Sequence, residues 1–139
     1  HTQIDPTGAW CRCGNRGCLE ATVSIDVVRR QLEPLGLDPF NPADMEHPVA
    51  TKVLAESGRT VGVVIANLCN TLNPEAVILG GDLASTGAHF TAGVRDSVRH
   101  LAQPGPAHTT VIATSLQGRA ELLGAVACAA ATPLSAQPA

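Results

Sequence analysis

The chain has 139 residues, enough for one compact domain with a modest core and too few for two. Hydrophobic residues make up 45% and charged residues 15%, which excludes a largely disordered polymer. A net charge of −3, with nine Lys+Arg scattered and no basic run, leaves no electrostatic footprint for a nucleic-acid backbone, and two Phe and one Trp offer no platform for stacked bases.

The chain opens HTQIDPTGAW, without the basic and then apolar order of a secretory signal. Leu19 to Ser24 reads as a turn or two of helix. Ser24 can then cap SIDVVRRQLEPLG, in which Ile25, Val28 and Leu32 share a face and Pro34 with Gly36 stop the helix. LDPFNPADMEH is a Pro- and Asp-rich connector. From Pro48 the spacing of Val49, Val53, Leu54, Val61, Val64, Ile65, Leu68 and Leu72 predicts a long helix with a break near Gly58, ended by Asn73-Pro74. AVILGG is a short buried strand running into a glycine turn. A helix over about Gly87 to Leu101, the connector QPGPAH, a strand TTVIATS and an Ala-rich helix from about Gly118 to Ala131 complete the order. The tail TPLSAQPA, residues 132–139, is expected to be loose. Helices alternating with short strands predict an α/β domain without internal repeats. The longest apolar runs, VGVVIA and LLGAVACAAA, fall far short of the roughly 20 residues that cross a bilayer, so no membrane span is expected.

Three of the five cysteines fall within eight residues, in GAWCRCGNRGCLEA. A disulfide scaffold wants an even count and wider spacing, and Cys11 and Cys13 are too close for an unstrained bridge. A metal fits better. Cys11, Cys13 and Cys18 come from one tight loop, and Gly14 and Gly17 let its backbone fold around an ion. Three thiolates leave one tetrahedral position. Of the five histidines, only His1 precedes the loop at a distance that the turn Asp5-Pro6-Thr7-Gly8 could fold back, so a His-Cys-Cys-Cys zinc site is the leading reading. The alternative is a cluster of free thiols. Cys69 and Cys128 lie in apolar helical stretches and read as small core residues. His47, His89, His100 and His108 lack ligand spacing and read as surface or capping residues.

The order His1, IDPTG, CRCGNRGCLEA, NTLNPEAVILGGDLASTG, ELLGAVACAA closely resembles the ROK family of sugar-responsive repressors and sugar kinases, over nearly the whole chain. It matches the C-terminal part of such a protein. The resemblance implies the C-terminal lobe of an actin-like, ribonuclease-H-like ATPase fold, with a zinc-stabilised loop over residues 1–20. It also implies that the phosphate loop, the catalytic base and any DNA-binding winged helix lie outside this chain. No catalytic residue is therefore expected here, and neither sugar phosphorylation nor DNA binding by this chain alone.

Carried over residue by residue, the resemblance makes His1, Cys11, Cys13 and Cys18 zinc ligands. Glu20 becomes a carboxylate that accepts hydrogen bonds from sugar hydroxyls, with His1 facing the same sugar. The plainer reading of Glu20 is an acid favoured at a helix start. Gly80 and Gly81 would let backbone approach a nucleotide if the protein is a kinase, though Gly-Gly after a strand is most often only a turn. HTQIDPTG with CRCGNRGCLEA looks more like the repressor branch than the kinase branch, in which the residue before the Glu is often Trp; here it is Leu19. The implied role is the inducer-binding and dimerisation part of a cytoplasmic regulator sensing a sugar or sugar phosphate, forming a dimer or tetramer. The alternative is the C-terminal half of a glucokinase-like enzyme. A freestanding zinc-loop interaction module fits less well, because two short strands do not complete a sheet.

Overall fold

The computed structural model describes residues 1–131; residues 132–139, where a loose tail is expected, lie outside the described residues. After the N-terminal loop come a one-turn helix α1 (Leu19–Thr22) and α2 (Ile25–Leu32). The Ser24 side chain accepts from the Val27 N–H, and Gly36 closes the following 3-10 turn at φ 68. Val28 and Leu32 are fully buried and Ile25 is half-buried, so the α2 face read from the sequence is the one that packs. The connector holds one unforeseen helical turn, α3 (Pro42–Met45), capped by Asn41 and anchored by buried Met45.

The longest helix, α4 (Pro48–Leu72), begins at His47, whose Nδ1 accepts from the Val49 N–H at 3.2 Å, with Pro48 as the first helical residue. It ends at Asn73, held at φ 45 before Pro74. A parallel pair follows: β1 (Ala76–Leu79) lies beside β2 (Thr110–Ala113) in the register Ala76↔Thr110 to Leu79↔Ala113. Between the strands run α5 (Asp82–Ser85) and α6 (Ala88–Leu101), and α7 (Ala120–Ala131) closes the described chain. Parallel strands joined through helices make this an α/β unit, as expected. The core is one cluster in which Leu54, Phe90, Val94 and Val98 join α4 to α6, with Val28 and Leu32 on one flank and Leu79 and Val111 on the sheet.

Four expectations need correction. The strand over AVIL is not buried throughout: Ala76 and Ile78 are exposed and only Leu79 is buried, because alternate side chains point to opposite faces of the sheet. The helix does not break at Gly58; α4 is continuous. A Cβ at Gly58 would stand 2.1 Å from the Phe90 carbonyl oxygen, and one at Gly93 would stand 2.2 Å from that of Ala55. These glycines let α4 and α6 touch backbone to backbone. For the same reason the buried stripe of α4 is Ala50, Leu54, Gly58, Gly62, Ala66 and Cys69, whereas Val49, Leu68 and Leu72 are exposed. Apart from Leu54, the buried stripe is made of small side chains and not of branched ones. Finally, Cys69 is buried as expected but Cys128 is exposed.

Candidate metal centre and the adjoining cleft

The N-terminal loop folds back through its backbone. The Asp5 carboxylate accepts from both the N–H and the hydroxyl of Thr7, at 2.9 and 2.7 Å, closing the Asp-Pro-Thr-Gly turn and holding its own pKa below the ordinary 3.8. Beyond the turn, the Gly17 carbonyl accepts from Ile4 and Asp5, and Leu19 N–H donates to Thr2 at 2.8 Å. Antiparallel bridges pair Gln3 with Cys18 and Trp10 with Arg16. His1 is thereby carried to the cysteines.

The Nδ1 atom of His1 lies 3.4 Å from Cys11 Sγ, and Cys13 Sγ lies 3.6 Å from Cys18 Sγ. One ligand atom from each of His1, Cys11, Cys13 and Cys18 falls within 4.8 Å of all the others. Metal–sulfur bonds of about 2.3 Å at tetrahedral angles place neighbouring ligand atoms about 3.8 Å apart. Two of the separations, 3.4 and 3.6 Å, are close to that value and the others lie within 4.8 Å, so the four donors are gathered about a space that an ion could fill. Their chemistry agrees. Burial, then the neighbouring thiols, push the Cys18 thiol up to about 11, so without a cation it is neutral at physiological pH; a divalent ion would reverse that by binding the thiolate. Cys13, exposed and receiving the Asn15 N–H, is shifted down. Apolar burial offers this loop little else. Trp10 is 67% exposed, stacked only under the Arg16 guanidinium at 4.0 Å.

Glu20, in α1, sits directly beside the cluster. Its Oε2 is 3.1 Å from His1 Nδ1, and its Oε1 pairs with the guanidinium of Arg12. His1 Nε2 has no protein partner among the described residues. His1 and Glu20 line a cleft of about 430 Å³ together with Leu19, Val61, Ile65 and Gly80. Of the two glycines singled out in the sequence, Gly80 therefore joins the cleft, while Gly81, at φ 82, starts α5 and is absent from the cleft wall. The other histidines take no part: His47 caps α4, and His89 and His100 face Glu46 and Asp96 at 3.7 and 3.3 Å. Arg12 escaped the sequence reading. Its only signal there was its place between two candidate ligands.

A loop of three thiols and a histidine, opening onto a cleft through a carboxylate, on a helix-rich α/β scaffold, defines the class. The ROK family model matches residues 1–132, and the chain belongs to the ROK family. It is 30% identical over 141 residues to the DNA-binding transcriptional repressor Mlc of Escherichia coli, covering 90% of this chain and 35% of that protein. Among solved structures it is similar to a ROK family glucokinase from Streptomyces griseus in complex with glucose and AMPPNP. The TM-score there is 0.78 at 27% identity, over 92% of this chain and 49% of that one. It is also similar to a ROK family transcriptional regulator homologous to Mlc, with a TM-score of 0.65 at 28% identity, over 81% of this chain and 33% of that one. The chain thus spans about half, or less, of the length of these relatives. No helix among the described residues is long and apolar enough to cross a membrane.

Proposed function

We propose that this chain is the sugar-sensing part of a ROK transcriptional regulator, with a structural zinc held by His1, Cys11, Cys13 and Cys18. The observation that carries the reading is the contact of His1 with Glu20 at the mouth of the cleft, 3.1 Å across, built directly on the four-donor cluster. Bound there, zinc would supply Lewis acidity that fixes the ring and tautomer of His1 and keeps three thiols ionised. The residues of the chain do the recognising. Glu20 accepts from hydroxyls of a sugar ring, the free N–H of His1 donates to a sugar oxygen, and Leu19, Val61 and Ile65 exclude water from the apolar face of the ring. Leu19 before Glu20 and the similarity to Mlc support the regulator; DNA contacts would belong to residues outside this chain, and sugar occupancy would be what the regulator reads.

The similarity to a glucokinase and the presence of Gly80 in the same cleft as His1 and Glu20 favour a second reading, a phosphotransferase acting from ATP to a hexose. Calorimetry with glucose, N-acetylmannosamine and xylose, run beside a coupled assay with Mg-ATP and the same sugars on a whole protein that joins this chain to the phosphate loop and base expected outside it, separates the two. The regulator reading expects binding of at least one sugar without turnover. Turnover above a no-protein control would replace it with the kinase.

A further inference from the structure

The ion pair between Arg12 and Glu20 lies outside the ligand set, yet both its ends are tied to the metal loop. Arg12 stands between Cys11 and Cys13, so its backbone is fixed on both sides by ligands. A tight turn reinforces it, with Cys11 N–H donating to Asn15 and Gly14 N–H to Cys11, at 2.7 and 2.9 Å. Glu20 follows the last ligand by two residues, on a helix of one turn whose start has no side-chain cap. Its carboxylate is about one-third exposed and would sample several rotamers if nothing held it. His1 Nδ1 lies 3.1 Å from Oε2, but that atom also faces Cys11 Sγ as a metal donor, so the side chain that holds the carboxylate is Arg12, at Oε1.

We infer that Arg12 is a positioning residue that fixes the Glu20 carboxylate for a pair of neighbouring hydroxyls on a neutral sugar; this rests on the proposed role of Glu20. A carboxylate offers about four lone-pair positions, two on each oxygen. Arg12 takes one on Oε1, and with His1 Nδ1 turned to the metal no proton of that atom occupies Oε2, so each oxygen keeps an acceptor, side by side, as a vicinal diol requires. The guanidinium also offsets the carboxylate charge, so that the site holds hydrogen-bond acceptors and no bare anion. Arg suits this better than Lys, because its planar fork sets the orientation of the carboxylate as well as its charge.

The test is a double-mutant cycle read by calorimetry, with zinc content measured for every variant and glucose, N-acetylmannosamine and xylose as probes. Glu20→Gln is expected to weaken the sugar that the wild type binds by roughly tenfold or more. Arg12→Gln should weaken it about two- to five-fold, the range of a solvent-exposed ion pair, and Arg12→Lys should recover part of that loss. In the Glu20→Gln background Arg12→Gln should cost nothing further, and all variants should keep their zinc. The positioning role fails if Arg12→Gln binds as tightly as the wild type, costs as much without Glu20 as with it, loses zinc, or is not improved by Lys. If Glu20→Gln binds like the wild type, or the wild type binds none of the three sugars, the proposed sugar site itself fails and the role of Arg12 with it.

Discussion

Gly17 lies directly over the backbone of Asp5: a Cβ there would stand 1.4 Å from the Asp5 carbonyl oxygen, and Gly17 adopts φ 59. This contact is the hinge on which His1 is folded back to the cysteines. Gly17→Ala should therefore open the loop, through a steric conflict that only backbone movement relieves and a left-handed conformation costing roughly 1–2 kcal/mol by itself. Gly14, at φ 89 with nothing within 4 Å, is the matched control, so Gly14→Ala bears only the conformational cost. Zinc content and thermal unfolding of both variants check this. Equal damage from the two substitutions would mean that the Asp5 contact does not hold the loop.

Gly58→Ala should destabilise the protein by roughly 2 kcal/mol or more, although alanine is the better helix former by about 1 kcal/mol. The packing against the Phe90 carbonyl decides the sign. Gly124→Ala on α7, where nothing lies within 4 Å, should instead be neutral or stabilising by up to about 1 kcal/mol. Urea midpoints of the two variants give the comparison, and a stabilised Gly58→Ala would show that the helices have room to spare.

These glycines also mark where sequence stops being legible. The Ser24 cap, the Gly36 stop and the Asn73-Pro74 boundary are local chemistry, decided by residues three or four apart, and the structure has each in place. Gly58 is different, because its reason is a carbonyl 32 positions away on α6, invisible to any window of periodicity. Likewise the four donors were legible from the types and spacing of His1, Cys11, Cys13 and Cys18, while the pairing of Arg12 with Glu20 depends on how the loop closes in three dimensions. Cys128 was misplaced because an apolar helical run implies burial only where another element covers it.

His1→Ala and Cys13→Ser should part company. With three thiols left and water able to complete the tetrahedron, His1→Ala should keep much of its zinc yet lose sugar affinity, since it removes a proposed sugar contact directly. Cys13→Ser should lose zinc and, with it, the ordered loop and the sugar response. Metal analysis, limited proteolysis and calorimetry on both proteins check the contrast. A His1→Ala protein with full sugar affinity would remove His1 from the sugar site.

Apolar side chains remain uncovered on two helices, with Leu68 and Leu72 exposed on α4 and Leu122 and Val126 on α7. Self-association at micromolar concentration is expected, and replacing Leu68 and Leu122 by Glu should shift it towards monomer. Sedimentation equilibrium is the check; a wild-type monomer would contradict the proposed assembly.

Zinc stoichiometry tests the reading of the loop most directly. Structural zinc in small peptides is worth on the order of 10–16 kcal/mol of apparent binding energy, comparable to the ~5–15 kcal/mol that holds a whole domain together. A loop with Trp10 exposed and so little else to bury should depend on that metal for its order. Elemental analysis of protein purified without chelator should find about one zinc per chain, with Cys11, Cys13 and Cys18 resisting alkylation until the metal is stripped. Protein with no zinc, and with all three of those thiols freely reactive while the loop still resists protease, would contradict the metal centre and the function built on it.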